Sequence, residues 1–214
     1  MKHVKYGFTM AETLITIGII GLVAAMTLPS IIAKIEKTVL KTQIKKNYSA
    51  LSQIVQKVLF EFGDGQGVYV SSGFGFREFN NAVLNELKIL QVCEKNALAK
   101  GCIAEYKGLN VKDCSGFNET NIYNNATVYI LYDGSFMIPY NADWRSLWLV
   151  DVNGKKGPNK AGYDLFEVRL DEKIINPENS KMSRLRYVSN ACLNQGNPPP
   201  VKGGLDDFKN IDKW

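Results

Sequence analysis

The sequence predicts an α+β chain. A long N-terminal helix, transmembrane and then amphipathic, packs on a small antiparallel β-meander. Three observations point there. No charged residue occurs between Thr13 and Ala33. Apolar residues then recur at steps of three to five as far as Phe62. Between residues 126 and 170, short apolar runs alternate with Asp-Gly and Asn-Gly turn pairs.

Composition bounds the rest. A chain of 214 residues holds one domain or two small ones. Apolar residues make up 45%, enough for a core. Charged residues at 22% and a mean hydropathy of −0.14 exclude a disordered chain and a multi-pass membrane protein. The net charge of +5 is mild and comes without a basic cluster, so no nucleic-acid partner is expected. The one histidine, His3, lies at the extreme N-terminus, which leaves the body of the chain without imidazole as base or metal ligand.

The first seven residues, MKHVKYG, carry Lys2 and Lys5 and no acid. The 21 uncharged residues from Thr13 to Ala33 would span roughly 30 Å as a helix, the thickness of a bilayer core. The leader lysines predict a cytoplasmic N-terminus with the remainder outside. Glu12 breaks the apolar pattern. A carboxylate at mid-membrane costs about 2.5–3.5 kcal/mol on the insertion scale, less near the interface, and commonly marks a functional partner. If the chain were cut after Gly7, the new amine on Phe8 would stand four residues before Glu12, one helical turn away. The plainer alternative places Glu12 at the headgroup boundary with no partner.

The string GFTMAETLITIGIIGLVAAMTLP, residues 7–29, resembles the N-terminal signal of type IV pilins and type II secretion pseudopilins. Four features match at the family's spacing: the glycine ending a short basic leader (Gly7), the first mature residue (Phe8), the fifth (Glu12) and a later proline (Pro29). The resemblance covers about the first 30 residues. It implies that a prepilin peptidase cuts after Gly7 and methylates Phe8. It also implies that Glu12 of an incoming subunit neutralises the Phe8 amine of its neighbour as a filament grows. Two charges in a low-dielectric layer each carry a desolvation penalty unless they meet, so the pair would favour docking and fix axial register.

Two other readings compete. A secretory signal peptide would be cleaved near VAAM, but its apolar core is typically 7–15 residues, shorter than this run. An uncut single-pass anchor needs neither Gly7 nor Glu12.

Pro29 cannot donate to the carbonyl of Ala25 and is expected to kink or loosen the helix. Gly18 and Gly21 add softness and permit close helix approach, although their spacing is not that of the GxxxG motif. Beyond Ala33 the helix turns amphipathic. Ile35, Val39, Ile44, Tyr48, Leu51, Val55, Val58 and Phe62 form the apolar stripe, and Lys41, Lys45, Lys46, Gln53 and Lys57 the polar face. Gly63, Gly65 and Gly67 end it. GDGQG is no phosphate loop, because no strand precedes it. A helix from Phe8 to Phe62 would be roughly 80 Å long, more than a small domain covers.

A second helix is expected from Phe76 to Leu90, with Phe79, Val83, Leu87 and Leu90 on one side. About four strands follow: 126–132 and 135–140 around Asp133-Gly134, then 146–152 and 164–170. The organisation expected is a cleaved leader over 1–7, a transmembrane and assembly helix over 8–33, its amphipathic continuation over 34–62, and an exterior domain over 63–214. That layout is similar to pilin-type domains. Pro198, Pro199 and Pro200 favour extended polyproline geometry near the end.

Cys93, Cys102, Cys114 and Cys192 all fall on the expected exterior side. An even count there favours two disulfides with three possible connectivities. The preferred one joins Cys93 to Cys102 as a local clasp and Cys114 to Cys192 to tie down the tail. Zinc lacks CxxC spacing or a nearby histidine. In DVNGKKGPNKAGYD, residues 151–164, Asp151, Asn153 and Asp164 offer oxygen ligands, and certain pseudopilins bind calcium in a loop of this region. The spacing departs from the EF-hand pattern, and an Asn-Gly turn leading into a surface loop is the expected reading; no metal or cofactor is assigned. Trp144, Trp148 and Trp214 are candidates for contact with a ligand or a neighbour, with core packing the default on the strand pair. Asn118 and Asn125 match the glycosylation sequon, weak evidence in a bacterial protein. No nucleophile motif such as GxSxG appears, so no enzymatic activity is expected.

The expectation is a structural filament subunit in the bacterial inner membrane, with its C-terminal domain outside the cytoplasm. Its partners would be the prepilin peptidase, other pilin or pseudopilin subunits, the inner-membrane assembly platform and membrane lipid. A secretion pseudopilus is preferred slightly over a pilus. The alternative is a single-pass anchored extracytoplasmic binding domain that does not polymerise.

Overall fold

In the computed structural model, residues 7, 9–61, 73–107, 119–140, 147–170, 185–188 and 208–214 are described. Helix α1 runs from Met10 to Glu61, 52 residues, and continues through Pro29 without ending. The chain divides into two compact units, Met1–Val39 and Leu40–Trp214.

In the first unit the helix carries no charged residue from Thr13 to Ala33. Each of its fourteen large hydrophobic residues from Met10 to Val39 is at least half exposed. An 18-residue window reaches a mean hydropathy of 2.2 with none of it buried, so length and composition suit a membrane span. The hydroxyls of Thr13, Thr16, Thr27, Ser30 and Thr38 each donate to a backbone carbonyl three or four residues earlier. That leaves few polar groups on an otherwise apolar surface.

The second unit is α+β. From Leu40 onward α1 has one buried stripe: Leu40, Ile44, Leu51, Val55 and Val58, with Tyr48 packed beside it. The amphipathic stripe therefore holds from Ile44, whereas Ile35 and Val39 are exposed. Helix α2 spans Gly73–Glu86 and contributes Phe79 and Val83 to the same core. It starts three residues before the expected Phe76. It also stops short of Leu90, because the chain turns at Leu87, whose N–H donates to the carbonyl of Leu84. Ile89–Cys93 then form strand β1, and Leu90 is 58% exposed.

The remaining strands are β2 (Val128–Leu131), β3 (Phe136–Pro139), β4 (Leu147–Asp151), β5 (Leu165–Leu170) and β6 (Leu185–Val188). They form one antiparallel sheet in chain order β1-β2-β3-β4-β5-β6. The meander thus has six strands rather than about four; the expected ones are its centre, and β1 and β6 are its edges.

Both faces of the sheet are covered. Met137, Trp148, Val150, Phe166 and Val168 pack with α1 and α2. Phe136, Ile138, Leu149 and Leu165 pack with Ala97, Ile103 and Tyr106, and with Ile122 of a π-helical turn over Asn121–Asn125. This explains the unbroken apolar run Leu147-Trp148-Leu149-Val150, since a strand buried on both faces need not alternate. Trp148 is fully buried, which leaves it core packing rather than contact with a ligand or neighbour. Trp144, Phe62, the glycines at 63, 65 and 67, and the triple proline lie outside the described residues.

Candidate functional site

The segment singled out for assembly begins at Gly7, which is exposed; Phe8 lies outside the described residues. Thr9 and Glu12 form a reciprocal capping box at the start of α1. The Thr9 N–H and the Thr9 hydroxyl both donate to Glu12 Oε2 at 2.8 Å. The Glu12 N–H donates back to Thr9 Oγ1 at 3.3 Å. The box follows from T-x-x-E, the N-cap and third-residue pairing that satisfies orphan amides at a helix start. Sequence reasoning passed over Thr9, although Thr9-Met10-Ala11-Glu12 ahead of an apolar run was the signal that finds it. Glu12 is exposed, and among the described residues its Oε1 has no partner. Farther along, a Cβ built on Gly18 or Gly21 would meet nothing within 4 Å, so both glycines face open space.

Of the four cysteines, Cys93 and Cys102 are brought together as a disulfide with Cα atoms 6.5 Å apart. It closes the loop that carries Lys95 and Asn96 at positive φ and inserts Ala97 into the core. Cys114 and Cys192 lie outside the described residues.

Loop 151–164 is built around two fully buried carboxylates. Asp151 Oδ1 accepts the N–H groups of Asn153 (3.1 Å) and Gly154 (2.8 Å), while Oδ2 accepts the Tyr106 hydroxyl at 2.9 Å. The Asp164 oxygens accept the N–H groups of Asn159 and Lys160, each at 2.6 Å. Burial, and then the charge of Asp164, pushes the Asp151 carboxyl well above its usual value; burial likewise raises Asp164. Burial and the facing Asp151 raise the Tyr106 phenol.

The carboxylates of this loop are engaged by the chain itself. All four of their oxygens receive donors from it. The buried side-chain acceptors of the loop that are left over are Asn153 Oδ1 and Asn159 Oδ1. Among the described residues no group of three or more His, Cys, Asp or Glu stands together as a metal site. The arrangement organises a turn: Gly154 sits at φ +66°, and Asn153 Nδ2 bonds the carbonyl of Gly157.

A cavity of about 640 Å³ opens between α1, the end of α2 and the β2–β3 hairpin. Leu51, Ile54, Leu87 and Met137 line it, and Lys46, Glu86, Lys88 and Asp133 mark its charged residues. Lys46 pairs with Asp133 at 3.4 Å, and Asp133 accepts the Ser135 hydroxyl at 2.6 Å.

No family model matches the chain, and no curated protein or solved structure matches it either.

Proposed function

We propose that this chain is the structural subunit of a type IV filament, a type II secretion pseudopilus or a type IV pilus, with slight preference for the former. A prepilin peptidase cuts after Gly7, α1 holds the product in the bacterial inner membrane, and the subunit assembles through that helix. The domain lies outside the cytoplasm. The chemistry belongs to the peptidase; this chain contributes surfaces.

One observation carries the reading: an exposed helix uncharged from Thr13 to Ala33, opened by a single acid four residues after Phe8. Burying a large aliphatic side chain is worth about 1.5–3 kcal/mol, so fourteen of them left in water represent tens of kcal/mol. A bilayer meets that demand for the monomer, and the helices of other copies meet it in a filament. The Cys93–Cys102 disulfide supports an oxidising compartment for the domain.

Electron microscopy of cells overexpressing the full chain together with the peptidase and assembly platform tests the reading. Filaments containing the chain are expected. A Glu12→Ala variant inserts in the membrane yet assembles poorly. Normal filament yield from that variant would refute the pairing role of Glu12. A wild-type chain that stays dispersed in the membrane would favour the anchored binding domain.

A further inference from the structure

We propose that the cavity between α1, the end of α2 and the β2–β3 hairpin binds a free aliphatic carboxylate, with Lys88 and Tyr132 taking the carboxylate and the apolar interior taking the chain. The site lies wholly within the second unit and does not depend on the filament reading. Its volume of about 640 Å³ is that of a small-molecule site, which commonly measures about 300–1,000 Å³. Leu51, Met137 and Val150, all buried core residues, form its floor. Ile54, Leu87 and Leu131, each partly buried, form its walls. Aliphatic groups facing an unfilled space forfeit packing contacts, and a hydrocarbon chain restores them.

Charge selects the head group. Of the four charged side chains that line the cavity, three are already matched. Lys46 pairs with Asp133 at 3.4 Å, and Glu86 pairs with Lys57 at 2.6 Å. Lys88 is the charge left over: among the described residues its ammonium has no hydrogen bond or ion pair. Tyr132 also lines the cavity, stands 69% exposed, and its hydroxyl likewise has no partner among the described residues. The Tyr132 N–H donates to the Lys88 carbonyl at 3.1 Å, which holds the two residues side by side. An ammonium and a phenol, adjacent and both free to donate, suit one carboxylate with its two acceptor oxygens. The single surplus positive charge discriminates against a neutral alcohol and, more strongly, against a cationic amphiphile.

Head group and chain separate by substitution. Lys88→Glu reverses the charge at an exposed position and leaves the core untouched. Tyr132→Phe removes the hydroxyl and keeps the ring. Ile54→Trp fills the interior from α1 and keeps both donors.

The test places the full chain in phosphatidylcholine vesicles and adds dodecanoate carrying a diazirine on its chain. Light expels nitrogen from the diazirine, and the carbene left behind inserts into a neighbouring C–H bond. Mass spectrometry of the peptides then maps where the chain lay, and circular dichroism checks the fold of each variant. Label on residues 10–39, from probe dissolved in the bilayer, serves as the internal reference. Wild type is expected to carry further label on the peptides that contain Leu51, Ile54 and Met137. Excess dodecanoate should displace that label; dodecanol and dodecyltrimethylammonium should not. Lys88→Glu should lower it about fivefold or more relative to the reference. Tyr132→Phe should lower it by a smaller factor, and Ile54→Trp should abolish it. Label confined to residues 10–39 in the wild type would overturn the proposal. So would equal displacement by the alcohol or the cation, or undiminished label in Lys88→Glu, a surface substitution that keeps the test decisive even where Ile54→Trp fails to fold. None of these results bears on whether the chain polymerises.

Discussion

The hydroxyl of Tyr106 donates a 2.9 Å hydrogen bond to Oδ2 of Asp151, and both residues are buried on the sheet face away from α1. The bond ties the segment after the disulfide loop to the end of β4. Tyr106→Phe removes the donor and leaves a buried acceptor short of one partner. A loss of about 1.5–3 kcal/mol is expected, since the partner is a carboxylate. Urea unfolding of the wild type and the variant measures it; equal midpoints would mean that the bond contributes nothing.

The same carboxylate predicts a pH dependence. Asp151 and Asp164 are raised above their usual value of 3.8 by burial, with Asp164's charge adding to the shift at Asp151. The folded state then binds protons more tightly than the unfolded chain. Stability is favoured at the acidic end and falls as pH rises from about 4 through the folded-state values, opposite to the usual carboxylate pattern. Asp151→Asn should flatten this slope, because its oxygen still accepts from Asn153 and Gly154. Melting temperatures across pH 4 to 8 read the slope; a profile unchanged by the substitution would contradict the assignment.

Gly154 predicts a steric effect. Its φ is +66°, and a Cβ there would collide with the carbonyl oxygen of Gly134 in the β2–β3 turn. Gly101 has nearly the same φ, +68°, with nothing near its missing Cβ. Both alanine variants bear backbone strain of about 1–2 kcal/mol, and Gly154→Ala bears the collision as well. Gly154→Ala should therefore melt well below Gly101→Ala. Similar melting temperatures would mean that the two turns do not approach as closely as described.

The disulfide predicts both stability and orientation. Closing a loop of about ten residues is worth roughly 2.5–3 kcal/mol in the chain-entropy account, so Cys93→Ser with Cys102→Ser should cost about that much. The lysines flanking the apolar span pull in opposite directions: Lys2 and Lys5 before it favour a cytoplasmic N-terminus, whereas Lys34, Lys37, Lys41, Lys45 and Lys46 after it favour a cytoplasmic domain. A bridge that forms in the cell goes with an oxidising compartment, since cytoplasmic thiols stay reduced. In intact cells, thiol reagents should label Cys93 and Cys102 only after reduction; labelling without reduction would place the domain inside.

The parts that could be read from sequence were those where one strong local rule acted alone. Asp133-Gly134 placed the β2–β3 hairpin, and Gly134 indeed takes φ +85°. The stripe from Ile44 to Val58 identified the buried face of α1. Strand β1 was missed because Val83, Leu87 and Leu90 continue helical spacing past the true end of α2. The turn at Leu87 and the clasp from Cys93 to Cys102 overrule that periodicity. Strand β6 was missed because Leu185–Val188 is short and has no turn pair before it. Asp151 and Asp164 read as exposed loop acids; only tertiary packing reveals that backbone amides and Tyr106 make their burial tolerable.

Mass spectrometry of the protein's N-terminus, purified from membranes of cells with an active prepilin peptidase, tests the central claim most directly. The account predicts a chain starting at methylated Phe8. A chain that still carries Met1 to Gly7, or that starts near Ala25, would contradict it.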